Sequence, residues 1–139
     1  MNTITIYRVQ NDNNVGPFRD GSTPDEVRMV LTSSIPDLKY HPLIGRDVGL
    51  EMGGLGNKNR QYCCGTESIR QLRHWFPSRE TVEVLQSMNM HIYAYTIDAD
   101  LVKFGKSGTQ VAFIPADATS FKKISVSRLL TKAMPQSMM

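Results

Sequence analysis

Cysteine is nearly missing from this chain, and the two that occur, Cys63 and Cys64, are immediate neighbours. Adjacent cysteines bridge only through a strained peptide unit, so a disulfide framework is not the source of stability. A reduced, cytoplasmic setting is the simpler expectation. No apolar run approaches the roughly 18 residues of a membrane span, and a basic-then-apolar signal pattern is absent from the first residues, so a soluble chain with no membrane partner is expected. His41, His74, His91 and the two cysteines never fall at the C-x-x-C or H-x-x-x-H spacings of a closed zinc site, and no metal is expected. Gly105-Lys106-Ser107-Gly108 resembles a scrap of a phosphate-binding loop, yet the upstream glycine and the following helix are both missing. It reads as a hairpin turn. No nucleophile elbow is present, so no complete catalytic set is legible and no cofactor follows from the residues alone.

Acidic residues are scarce in one region only. Residues 101–139 carry six Lys/Arg against one Asp/Glu, whereas residues 1–100 carry ten against twelve. A basic C-terminal third hints at an anionic partner. Lys103, Lys106, Lys122, Lys123 and Arg128, with Arg70 and Arg73, are the candidate partner-binding residues, and a nucleic-acid backbone is one ligand they would suit. Aromatic residues are thinly interleaved among them, because Phe104 and Phe121 also fit strand positions.

What is present is an ordinary globular composition, 40% apolar over 139 residues, enough for one domain with its own core. Its densest pattern runs from Tyr62 to Ile97. Ile69, Leu72 and Phe76 recur at helical spacing, with Trp75 beside them, over a helix at 67–76 that Thr66 caps and Pro77 stops. Glu67 then sits in its first turn, and Trp75 is expected to be largely buried. Ser78 opens a second helix at 79–88 with Val82 and Leu85 inward, and Asn89 suits the left-handed residue that ends it. From Met90 to Ile97 the period becomes two, with large residues on both sets, which predicts a strand covered on both faces.

The remainder is read more coarsely. Thr3–Val9 is a first strand. Thr23-Pro24 with Glu26 opens a short helix at 24–32. Residues 35–61, with Pro36, Pro42 and five glycines from Gly45 to Gly56, form a long loop. Leu101–Phe104 and Thr109–Ile114 make a hairpin. Residues 121–130 are assigned to a strand in preference to a short helix near 127–132. The expectation is thus one α+β domain over residues 1–133, in which a mixed, mainly antiparallel sheet carries two or three short helices. Residues 134–139 are a disordered tail.

Tyr7-Arg8-Val9, Gly16-Pro17-Phe18-Arg19, the run Ser68–Phe76, Tyr93–Ile97 and Gly108–Phe113 together resemble a group of small phage and prophage proteins. That resemblance implies a protein working in the host cytoplasm, of the kind that disarms a host defence protein or ribonucleoprotein, CRISPR complexes included, by binding and occluding it. A looser resemblance is to the ADP-ribosyltransferase fold, which places Arg or His on a first strand, a Ser/Thr motif on a second and Glu on a third. Arg8, Thr66 or Ser68, and Gln110 stand at those stations. They imply NAD as cofactor and Arg8, Ser68 and Gln110 as catalytic residues, with the departure that a neutral Gln110 supplies much less field than a carboxylate.

Overall fold

Alternating large side chains make His91–Asp98 the strand to which both sides of the molecule attach. The computed structural model describes residues 2–13, 16 and 62–130. The helix expected at 24–32, the loop at 35–61 and the tail at 134–139 lie outside those residues. Six strands are present among the described residues: β1 (Thr3–Gln10), β2 (Cys63–Gly65), β3 (His91–Asp98), β4 (Lys103–Phe104), β5 (Val111–Phe113) and β6 (Ser120–Ile124). Two helices, α1 (Ile69–Trp75) and α2 (Arg79–Ser87), lie between β2 and β3. The fold is α+β, as the patterning predicts.

The strands form two three-stranded sheets, ordered β1-β3-β6 and β2-β5-β4, where one sheet was expected. Every ladder among the described strands is antiparallel. Among the described residues a single bridge joins the sheets. Tyr7 N–H donates to Thr66 O at 2.8 Å, and Thr66 N–H returns a bond to Tyr7 O at 2.9 Å. Gly65 makes that approach possible, because a Cβ there would lie 2.6 Å from Ile6 Cγ2, 3.0 Å from Tyr7 O and 3.1 Å from Phe113 Cε1. Beyond it the second sheet turns over one face of the first.

β3 is therefore buried from both sides. Ile92, with Val9 of β1, packs against Leu72, Phe76, Val82 and Leu85 of the helical layer and against Val126 and Leu129. Tyr93, Tyr95 and Ile97 point the other way, into a second cluster with Ile6, Val111 and Phe113. Period two in the sequence supplies both faces at once.

Local chemistry fixes the helix ends. Ser68, not Thr66, caps α1: its hydroxyl accepts from Gln71 N–H at 3.1 Å. Thr66 is drawn into the sheet bridge, and its hydroxyl donates to Ser68 O at 2.8 Å. Glu67 consequently precedes the helix. Ser78 and Thr81 form a reciprocal capping box on α2, and Asn89 ends it at φ 59°. Trp75 is half-buried at the margin of the helical core, while Phe76 is buried. Neighbouring helix positions diverge by about 100°, and so short a helix brings only one of the pair fully under its neighbours.

Three further boundaries differ from expectation. Leu101 ends a 3-10 turn, Ala99–Leu101, because the Asp98 carboxylate accepts from Asp100 N–H at 2.9 Å and curls the chain. The hairpin pairs only Lys103–Phe104 with Val111 and Ala112, closed by Gly108 at φ 75°. Residues 121–130 divide into β6 and a 3-10 turn, Val126–Leu129, since Ser125 interrupts the strand and its hydroxyl accepts from Ser127 N–H.

Arg73 ties that last turn to α1, donating from Nε to Leu129 O at 3.1 Å and from Nη2 to Arg128 O at 3.0 Å. Its residue type set it with Arg70 among the candidate partner-binding residues. Arg70 is exposed, whereas Arg73 is half-buried. Arg73→Ala should lower the stability to urea by about 1–2 kcal/mol, because two carbonyls lose a charged donor. Arg70→Ala should stay within about 0.5 kcal/mol of the parent. Equal stability of the two variants would contradict the role assigned to Arg73.

Candidate functional site

Register places the chemistry-bearing side chains in rows across the β1-β3-β6 sheet. Arg8, Tyr93 and Lys123 are level with one another, as are Ile6, Tyr95 and Phe121. All six lie at positions of the face turned toward the second sheet. Gln10 and His91 form the next row, followed by Asp12 as the chain leaves β1.

Aromatic rings fill the middle of this face. Tyr93 stacks on Tyr95 with centroids 5.9 Å apart and on Phe121 at 5.5 Å, while Tyr95 meets Phe121 at 5.8 Å and Phe113 at 5.2 Å. Offset and tilted pairs at these separations suit the ring quadrupoles. Both tyrosine hydroxyls are used: Tyr93 donates to Asp12 Oδ1 at 2.6 Å, and Tyr95 donates to the buried Gln10 Oε1 at 2.8 Å. Lys123 Nζ completes the edge, 2.9 Å from Asp12 Oδ1 and 6.0 Å from the Tyr93 ring centre.

These contacts set the acidities. The hydrogen bond from Tyr93, then the Lys123 ammonium, hold the Asp12 carboxyl below its ordinary value. Burial and the adjoining Asp12 carboxylate push the Tyr93 phenol up to about 12. Burial raises Tyr95 as well, against the opposing influence of Arg8 and Gln10.

At the inner end of the face, Arg8 Nη1 donates to Cys64 O at 2.9 Å and lies 3.6 Å from Cys64 Sγ. Thr66 follows β2 and Gln110 precedes β5. The Gly65↔Val111 pairing sets these two level with each other, and both are buried. Arg8 thus lies one residue past the Tyr7–Thr66 bridge and Gln110 stands level with Thr66 in the other sheet, while the Ser68 hydroxyl is engaged in capping α1. The basic residues named from sequence are spread over several elements. Arg70, Arg73 and Arg128 belong to the helical side, Lys103 and Lys106 to the second sheet, and Lys122 and Lys123 to the edge strand β6. Lys103 Nζ sits 6.0 Å over the Tyr62 ring. Sequence reasoning missed Gln10, Asp12 and the tyrosine hydroxyls. The alternation of Tyr93 with Tyr95 and of Phe121 with Lys123 marked the face, but their partners come from β1. Among the described residues no three His, Cys, Asp or Glu side chains gather as a metal site would require, and no helix is long and apolar enough to cross a membrane.

The Asp12–Tyr93 pair fixes two opposite pH dependences. Tyr93's contribution is complete below the ordinary tyrosine value of 10.0 and is lost as pH rises through about 12, because the unfolded phenol ionises first. Asp12 contributes above its unfolded value and loses that contribution as pH falls through its lower folded value. An ultraviolet phenolate titration should show a late step that Tyr93→Phe deletes. Asp12→Asn should move that step toward 10.0 without reaching it, since burial remains. A Tyr93 step at the ordinary value in the parent would overturn the assignment.

No curated protein and no solved structure matches the chain. One family does, described as Bacteriophage T4 Y00F protein, and the match takes in residues 1–127. A match over most of the length settles kinship, and the chain belongs to the Bacteriophage T4 Y00F protein family.

Proposed function

We propose that this phage protein is an interaction protein that binds a host defence complex and occludes one of its surfaces. The observation that carries the reading is the exposure of Phe121, 59% open to solvent on an edge strand beside Lys122 and Lys123. Phe104 and Leu101 are exposed too, close in sequence to Lys103 and Lys106. Large apolar residues standing in water beside charged ones are the usual makings of a protein interface. Kinship with a phage family, and the lack of a complete catalytic set in the sequence, make host factors the natural targets. The basic rim favours an acidic surface on the partner.

A second reading is supported by Arg8 beside the Tyr7–Thr66 bridge and Gln110 level with Thr66, which keep the chain order of the stations of an ADP-ribosyltransferase-like scaffold. Under it the chain holds NAD near Arg8. Gln110 and the engaged Ser68 hydroxyl favour binding over transfer, because neither brings a negative charge to a developing cation.

One set of preparations tests both. Tagged protein drawn through a lysate of CRISPR-bearing bacteria should enrich an identifiable defence complex and change phage plaquing. Phe104→Ser/Phe121→Ser should reduce capture by about tenfold or more. No enriched defence protein and unchanged plaquing would contradict occlusion. Label transfer from NAD to lysate, abolished in a folded Arg8→Ala variant, would promote the second reading over the first.

A further inference from the structure

We infer that β6 is the docking edge, and that it takes an acidic, extended polypeptide segment as an added strand. This deepens the reading of the chain as an interaction protein and rests on it.

The backbone argument comes first. β6 pairs with β3 along one side, and among the described residues no strand lies on the other. Alternate N–H and C=O groups of an edge strand point away from its neighbour and remain available to a partner strand. Ser120, Phe121, Lys122 and Lys123 are all exposed, so no side chain of theirs is sealed beneath another element.

Side chains then select the partner. Phe121 is ordered against Tyr93 and Tyr95 yet leaves more than half its surface in water. Such a ring anchors a ligand with little further loss of freedom, because its rotamer is set beforehand. Lys123 stands in the same row as Tyr93, and Lys122 stands on the other face, level with Ala94. A second β6 paired in register on Lys122 would bring lysine against lysine, which is unfavourable directly across strands. Lys123 already holds Asp12 at 2.9 Å, and Lys122 rewards a strand carrying Asp or Glu. Charge thus rejects self-pairing and admits an acidic segment, one device serving both ends.

Single-stranded nucleic acid fits less well. A stacking track needs successive open rings, whereas Tyr93 and Tyr95 are buried and Phe121 alone of that stack is exposed. Nor does a phosphodiester backbone use the outward amides of a strand.

The test titrates the full isotope-labelled chain with three probes: an alternating glutamate–valine peptide, its lysine–valine counterpart and oligo-deoxythymidine. Backbone amide spectra should respond to the acidic peptide at Ser120–Ile124, with hydrogen exchange slowed at alternate amides there. The basic peptide should leave them unchanged. Lys122→Glu should weaken the acidic peptide on the order of tenfold and turn the preference toward the basic one, with Lys122→Gln between. Equal binding of both peptides, no binding, or perturbation centred elsewhere would overturn the inference. So would oligo-deoxythymidine binding at Phe121 without slowed exchange, which would identify a nucleic-acid site. If the acidic peptide fails while Phe104→Ser/Phe121→Ser still reduces capture of the host complex, strand addition falls and the interaction reading stands.

Discussion

Gly65 is the point at which the two sheets meet, and the remaining architecture depends on the absence of a side chain there. Ile6, the Tyr7 carbonyl and the Phe113 ring all lie where its Cβ would be. Because the backbone passes unobstructed, Thr66 can exchange hydrogen bonds with Tyr7 and hand the chain from one sheet to the other. Everything C-terminal to that bridge is aimed by it. α1 and α2 are delivered to one side of β3, and β5 is brought over the other, with Phe113 against Tyr95.

This arrangement explains why the polar face sits where it does. A strand covered on both sides cannot offer its own side chains to a ligand, so contact with the outside falls to the edges. Toward β1, Arg8 reaches Cys64 and Gln10 receives the Tyr95 hydroxyl. Toward β6, the covering ends and the aromatic row runs out into solvent at Phe121. Asp12 closes the row by holding both Tyr93 and Lys123. A buried phenol is tolerated because a carboxylate accepts its proton-bearing hydroxyl, and the ammonium offsets that carboxylate's charge.

Much of this was legible in the residues. Period two from Met90 to Ile97 announced a doubly covered strand, Pro77 and Ser78 divided the helices, and Asn89 took the left-handed conformation its type permits. Other features depend on contacts between distant segments, where local pattern carries little signal. β2 is three residues long, too short for any periodicity, and Cys63-Cys64-Gly65 reads as strand only once β5 is alongside. Thr66 and Ser68 are both good caps by residue type, and a bridge to β1 decided between them. Arg73 looked like a solvated cation, since nothing in its neighbourhood foretells carbonyls from residues 128 and 129. The positions of Arg8, Thr66 and Gln110 followed their order in the chain, but the Tyr7–Thr66 bridge and the Gly65↔Val111 pairing that relate them emerged only with the sheets.

The seam at Gly65 is open to one direct measurement, the urea stability of Gly65→Ala beside that of the parent. A methyl group forced against a backbone carbonyl and two packed side chains should cost about 1–3 kcal/mol. It should also broaden or shift the amide signals of Tyr7 and Thr66 together, because both sides of the bridge must move. Unchanged stability with undisturbed Tyr7 and Thr66 signals would contradict the seam and the placement of the two sheets that rests on it.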